Sequence, residues 1–547
     1  PYLASYPYGC TEQTLNRFLP TVITQQTLRR MGIDLAAIQD KRSNLNAQEI
    51  GDDQQRAAQW RRYDHNPVFD EAEGADMVRA GVKRLAAMQL SDGGWGWFSG
   101  YGERSYPHPT AVVIHGLQIA RENEAAIPGG VIERGVQWLK EYQAREIERL
   151  LLWDRTKKKG KSHAGNLDAF VYMVLTDEGH ENKKMRDYLY RDRNSLAVYA
   201  KAMFGMALVK AEDSRKLDMI IKNIEQYLVR DTENQTAYLK LPNASYWWYW
   251  YGSEYEAHAY YLKLLSRTDP SGETASGLVK YLLNNRKHAT YWNSTRDTAV
   301  IVEAFADYLA ASGKAAPDLT LDIFFNNQKM KTVRITAENL FNFDNKLVLE
   351  GKQIPTGTNM MTLKKSGTGP VYFNAYLDYF TLEDFITREG LEIKVQRRVF
   401  RLNEVDKNIK DAGSRGQVVD RKIEKYEREP LENMAALKSG DLVEVELVIE
   451  SKNDYEYLVF EDMKAAGFEP VGVRSGYTGN EIGAYVEFRD RKVAFFVRRL
   501  ARGKHSVSYR LRAEVPGKFS ALPARAYAMY APELKANSDE IKLIIND

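Results

Sequence analysis

The sequence predicts a multidomain chain, an α/α toroid over residues 1–314 followed by β-sandwich domains over 315–547, and three observations carry that reading. Before about residue 315, apolar residues recur at helical spacing between Gly- and Trp-rich connections. Beyond it, period-two alternation and turn residues dominate. Within the first part, dipeptides ending in alanine open apolar helices at Thr110-Ala111, Asp168-Ala169, Leu196-Ala197, Glu256-Ala257 and Thr298-Ala299. Their spacing is too uneven to prove a repeat but suits stacked helical hairpins.

The first helix is read from Leu15, Phe18, Leu19, Val22 and Ile23, which share one helical face. Gly9 precedes the pattern and Thr11 offers a capping hydroxyl, so Cys10 falls at the helix N-terminus. Pro20 is expected to kink this helix. Cys10 is the single cysteine of 547 residues. It has no internal disulfide partner, and a metal or iron–sulfur site needs several ligands, so it is either an inert core thiol or a reactive centre. Residues three apart share a helix face, which places the Cys10 sulfur beside the Gln13 carboxamide. Unpaired N–H groups and the positive end of the helix dipole there favour a thiolate and a developing oxyanion. A thiolate held against a carboxamide carbon can expel ammonia and leave an internal thioester.

The run Tyr6-Pro-Tyr-Gly-Cys-Thr-Glu-Gln13 closely resembles the Gly-Cys-x-Glu-Gln thioester motif of the α2-macroglobulin and complement family, and its Tyr-Pro-Tyr lead-in is similar to the bacterial branch. The resemblance assigns Cys10 and Gln13 the thioester bond, with Glu12 matching the motif in a less defined role. Ser91-Asp-Gly-Gly-Trp95 and Trp292-Asn-Ser-Thr-Arg-Asp-Thr-Ala299 resemble later segments of the family's thioester domain. The aromatic runs Gly93–Trp97, Tyr246–Trp250 and Tyr291-Trp292 read as packing at helix ends.

Residues 315–388 resemble the returning part of the family's CUB-type β-domain, which implies an incomplete sheet here. Leu319, Leu321, Ile323 and Phe325 alternate along a strand, Asn326-Asn327 offers a turn, and Val371–Phe380 reads as a further strand. Residues 389–547 resemble the C-terminal macroglobulin-like β-sandwich, with Val443, Val445, Leu447 and Ile449 facing its core and Glu444 and Glu446 facing away. The charged, Gly-punctuated insert at 403–430 reads as a loop or solvated helix.

By resemblance the chain is the C-terminal part of a broad-spectrum protease-trapping inhibitor and not an enzyme. A protease cuts a bait segment elsewhere, and the thioester acylates a lysine amine of the attacker in a single turnover. Tyr6 and Met529 are the preferred pair sheltering the thioester from water, with Tyr8 also flanking it; Tyr527–Pro532 resembles the stretch that leans on it in bacterial members. His108, and less so His115, are candidates for a histidine that would switch the acceptor from amines to hydroxyls; direct aminolysis is the expectation. No cofactor or metal is implied. The resemblance further implies a monomer in the bacterial envelope, a periplasmic lipoprotein anchored through an upstream N-terminus, serving host defence and paired with a penicillin-binding protein.

Composition adds exclusions. Formal charge is +3 with no long basic block, so nothing points to nucleic acid. Two alternatives stay open: an envelope protein–protein module with an unused thioester, and a cysteine-nucleophile hydrolase, although no Cys/His signature of the latter is present. A toroidal terpenoid cyclase would need an Asp-x-Asp-Asp motif that the sequence lacks.

Overall fold

The computed structural model describes residues 3–4, 9–33, 35, 67–98, 100, 102–241, 253–285, 291–292, 294–312, 317–340, 343–369, 371, 373, 375, 377, 385–412, 418–472, 474–477, 479–529 and 531–547, with backbone alone at 406–412, 418–425 and 531–533. They form two compact units, the first reaching Tyr372 and the second running from Phe373 to Asp547.

Eleven α-helices are described in the first unit. Six of them, α1 (Thr11–Arg30), α3 (Pro107–Glu122), α5 (Asn166–Asp177), α7 (Val198–Lys210), α9 (Glu254–Thr268) and α11 (Thr295–Ala311), pack in a closed cycle in which α1 touches both α3 and α11. The other five, α2 (Glu71–Met88), α4 (Val131–Thr156), α6 (Lys183–Arg191), α8 (Ser214–Glu225) and α10 (Glu273–Asn284), each lie outside one or two ring members. This is the α/α toroid. Sequence dictates which helix goes where. In α5, Asp168 through Thr176 are buried on every side, as an inner position requires, whereas α8 buries only Ile220 and Ile224. Each of the five dipeptides ending in alanine falls at the start of an inner helix.

Successive ring helices are separated by an outer one, so all six run the same way. Their C-terminal halves together line one cavity of about 300 Å³. The connections repeat a device. Trp95 donates its indole N–H to Leu85 O at the end of α2 and its backbone N–H to Thr110 Oγ1 of α3. Trp292 does the same with Leu282 O of α10 and Thr298 Oγ1 of α11. These tryptophans are helix-end packing, as read from sequence; Tyr246–Trp250 lies outside the described residues.

Helix α1 is seated by glycines. A Cβ on Gly116 would lie 2.4 Å from the Leu15 side chain, and one on Gly81 would lie 2.2 Å from Phe18. Helical structure continues through Pro20 to Arg30.

After the helices, β3 (Asp318–Phe325) pairs with β4 (Gln328–Ile335) and β5 (Met361–Thr368) in a three-stranded antiparallel sheet; β1 (Leu228–Asp231) and β2 (Thr236–Leu239) form a small hairpin earlier. The β3–β4 turn is Asn326-Asn327, both at positive φ, as expected of asparagines in a two-residue hairpin loop. Of the strand expected over Val371–Phe380, residues 371, 373, 375 and 377 are described and belong to none of the described strands; Phe373 and Leu377 are exposed.

The second unit is a β-sandwich. β7 (Ile393–Ala412) and β10 (Leu442–Ser451) belong to a five-stranded sheet, and β11 (Tyr455–Met463) and β18 (Arg525–Ala528) to a seven-stranded one. Val395, Val443, Val445, Leu447 and Ile449 meet Leu458, Phe460 and Phe495 in the core. Glu444 lies on the outward face, as expected, but is buried there under ion pairs with Arg428 and Arg510. The described residues of the 403–430 insert form neither loop nor helix. β7 runs on and pairs with β8 (Val418–Pro430) in register from Phe400↔Pro430 to Ala412↔Val418, a long two-stranded ribbon. A ribbon outside the core needs no apolar face, so its sequence lacks the alternation that marks a half-buried strand.

Candidate functional site

Cys10 is the N-cap of α1, in extended conformation at φ −65 and ψ 170. Its sulfur accepts the Gln13 N–H at 3.4 Å, while the Gln13 side-chain oxygen accepts the Cys10 N–H at 3.2 Å. The two side chains therefore interlock across the first turn, as the i, i+3 spacing requires. The same slots recur around the ring: Ser253 Oγ accepts the Glu256 N–H at 3.0 Å in α9, and Ser294 Oγ accepts the Asp297 N–H at 3.1 Å in α11.

Thr11 is not the cap that its hydroxyl suggested. It is buried, donating Oγ1–H to Gly96 O at 2.6 Å and its N–H to Trp97 O at 2.9 Å, which docks the motif onto the glycine-rich loop. The expectation of a resting thiolate is also corrected. Burial pushes the Cys10 thiol up, the Gln13 N–H counters it, and the Glu12 charge adds to the rise. Desolvation outweighs the helix end here.

Glu12, half-buried on the first turn of α1, feels the charges of α11. Burial raises its carboxyl, Arg296 pulls it back and Asp297 adds repulsion. Arg296, the second residue of α11, pairs with Glu256 Oε1 at 2.5 Å. Glu256 is buried and pushed up to about 7, first by desolvation, against the pull of Arg296 and with repulsion from Asp297 and Glu12. Asp297 accepts from Ser253 and, at 3.0 Å, from Ser294. Sequence reading missed Arg296 and Glu256 as site residues; each stood only as part of a segment marking a helix entry.

His108 lies at the same rim. It is 4 % exposed, stacked on Trp97 at 5.7 Å and tilted against Phe170 at 5.9 Å. Burial, then the Arg296 charge, hold it well below its ordinary value, so the imidazole is neutral. His115 is elsewhere: its Nε2 meets Glu303 Oε1 at 3.2 Å in the lining of the C-terminal cavity. Tyr6 and Tyr8 lie outside the described residues. Met529 follows β18 in the second unit, 48 % exposed, with its N–H on Tyr457 O.

A closed helical ring with a Cys–Gln interlock at one helix start, followed in the chain by a β-sandwich, defines a modular protein of the macroglobulin kind. The sequence profile of the A-macroglobulin TED domain matches residues 2–308, and that of the Bacterial Alpha-2-macroglobulin MG10 domain matches 393–533. The chain belongs to the α2-macroglobulin family, in its bacterial form. An Alpha-2-macroglobulin homolog of Nostoc sp. is 23% identical over 492 residues, covering 88% of this chain and 24% of that protein. Alpha-2-macroglobulin of Thermotoga maritima is 24% identical over 444 residues, covering 80% and 21%. The chain thus spans about a quarter of the length of the curated relatives it matches. Among solved structures, trypsin-activated α2-macroglobulin from Escherichia coli superposes with a TM-score of 0.47 at 16% identity, covering 99% of this chain and 32% of that one.

Proposed function

We propose that this chain carries the covalent-capture centre of a protease-trapping inhibitor. The Cys10–Gln13 interlock is the observation that carries the reading. The Cys10 sulfur attacks the Gln13 side-chain carbon, the S–C bond forms, and the amide nitrogen leaves as ammonia with the thiol proton. After bait cleavage elsewhere in the protein, a lysine amine of the protease attacks that carbon, a stable amide forms, and Cys10 is released as a thiol. The event happens once per molecule, so the protein is an inhibitor and not an enzyme. A thiol held above its ordinary pKa is a poor leaving group, which suits a bond that must persist until the site opens.

Water must be kept from that bond, and Tyr6 with Met529 are the proposed cover. Proteases are the proposed partners, with lysine amines as acceptors and no cofactor. Periplasmic residence, an envelope anchor and an association with a penicillin-binding protein belong to the same proposal.

Intact mass tests it. Freshly purified protein should weigh one ammonia less than its sequence; Cys10→Ala should restore the full mass, and methylamine should add itself to the wild type while freeing one thiol. With a protease present, the full-length protein should give an SDS-resistant conjugate that Cys10→Ala abolishes, and Tyr6→Ala or Met529→Ala should shorten the life of the bond. Full mass and a freely titrating thiol in never-activated wild type would refute the reading.

A further inference from the structure

The peptide unit between Gly9 and Cys10 is held at both ends. Its N–H, on Cys10, is donated to the Gln13 side-chain oxygen at 3.2 Å. Its carbonyl, on Gly9, accepts from Nη2 of Arg84, an exposed residue of α2, at 3.3 Å. Among the described residues that carbonyl is the one hydrogen-bond partner of the guanidinium, and no carboxylate pairs with it. The same contact accounts for the glycine of the motif. Gly9 does not have a positive φ, so no left-handed backbone demands glycine there. Space demands it instead: a Cβ at this position would lie 2.8 Å from Arg84 Nη2 and 3.4 Å from its Cζ. On the other side of Cys10, Thr11 is fixed to Gly96 O and Trp97 O, and α1 packs against α2.

We propose that Arg84 is a positioning residue for acyl transfer at Cys10 and Gln13, aiming and polarising the Cys10 N–H. The proposal rests on the thioester reading above. When the thioester forms or opens, negative charge gathers on the Gln13 side-chain oxygen, the atom that this N–H already meets. In opening, an amine nitrogen bonds to the Gln13 side-chain carbon, and the C=O electron pair moves onto that oxygen. The pair then returns, the C–S bond breaks, and the sulfur leaves with the proton that the amine gives up. A donor already fixed at the developing oxyanion costs no reorganisation at that moment. A cation on the carbonyl end of an amide draws charge through it and strengthens the N–H as a donor. Arg84 therefore acts through the peptide unit, and Gly9 is the space that lets it do so.

The full chain tests this through the rate of methylamine opening, read as thiol released per molecule that lacks one ammonia. Arg84→Met should slow opening about two- to fivefold, the effect of a charged hydrogen bond discounted for exposure. Arg84→Lys keeps a cationic donor and should stay within about twofold of wild type. Gly9→Ala pushes the guanidinium off the carbonyl and should slow opening as Arg84→Met does, and the two changes together should slow it no further. Slowing is the discriminating sign, because a contact that merely braced the turn would, once lost, admit the amine faster. If Arg84→Met does not fold, Gly9→Ala set against Arg84→Lys decides. A wild-type or faster rate in Arg84→Met and Gly9→Ala, or independent slowing by the two, overturns the role of Arg84 alone. Wild type at full mass overturns this proposal together with the thioester itself.

Discussion

The two rims of the helical ring handle buried charge in opposite ways. At the N-terminal rim Arg296 is ion-paired with Glu256 and acts on Glu12 through its charge alone, and both carboxyls lie above their ordinary value, Glu256 at about 7. At the C-terminal rim burial would also raise Glu303, but Lys263 and His115 hold it down at about 2. Lys263 is itself buried, paired with Glu303 and with Asp307 Oδ2 at 2.7 Å. Helix dipoles predict the reverse, since N-termini favour anions and C-termini oppose them. A dipole contributes about 0.3–1 kcal/mol, while a carboxyl displaced by about two pKa units represents roughly 3 kcal/mol. The local count of cations against carboxylates therefore decides the charge state, and the polarity of the helix ends does not.

Removing the cation from the better-supplied rim should make it behave like the other. Lys263→Met leaves Glu303 buried with only His115 beside it, and urea unfolding at neutral pH should show a loss of about 3–5 kcal/mol. A loss below about 1 kcal/mol would mean that water in the adjoining cavity already compensates the charge, and the contrast would fail.

The next effect is the pH dependence of the N-terminal rim. Glu256 titrates at about 7 in the folded chain against an ordinary 4.5, so the native state holds a proton there that the unfolded state has released. Its contribution is present below 4.5 and disappears as pH rises through about 7, on the order of 2–3 kcal/mol. Glu303 has the opposite sign: its stabilisation is present above 4.5 and is lost as pH falls through about 2. Glu256→Gln should flatten the decline on the alkaline side and leave acid unfolding in place. An unchanged slope in that variant would place the proton elsewhere.

The smallest effect concerns the anchor of the motif. Thr11→Val removes the buried bond to Gly96 O and strands that carbonyl, and thermal or urea unfolding should register about 1–2 kcal/mol. No measurable change would show that the Trp97 contact of the Thr11 N–H alone holds the turn.

Much of this was legible in the chain. Four of the ring's inner helices announce themselves because each opens on a buried alanine, Ala111, Ala169, Ala257 or Ala299, next to a polar residue, a local requirement written locally. Cys10 and Gln13 were legible for the same reason, being three residues apart on one turn. Glu12 was legible only as a match to the motif, and Arg296 and Glu256 were not legible as site residues, since residues hundreds of positions apart meet only when the ring closes. The Thr11 hydroxyl escaped because a long-range carbonyl, on Gly96, outcompetes the local cap. The β7–β8 ribbon escaped because period-two hydrophobicity appears only where a strand covers a core. His115 looked like its neighbour His108 in sequence, yet two helical turns carry it to the other rim and a structural ion pair.

The recurrence of an N-cap acceptor bonded to the third helical N–H, in α1 as in α9 and α11, separates reactivity from architecture. A serine and a glutamate at positions 10 and 13 would complete the same fastening that Ser253 and Ser294 help to make elsewhere. The proposed chemistry occupies a place that the scaffold already needs filled by something of that shape. Under the proposed capture chemistry, such a ring would fall silent, or be rekindled, by exchange at two adjacent corners.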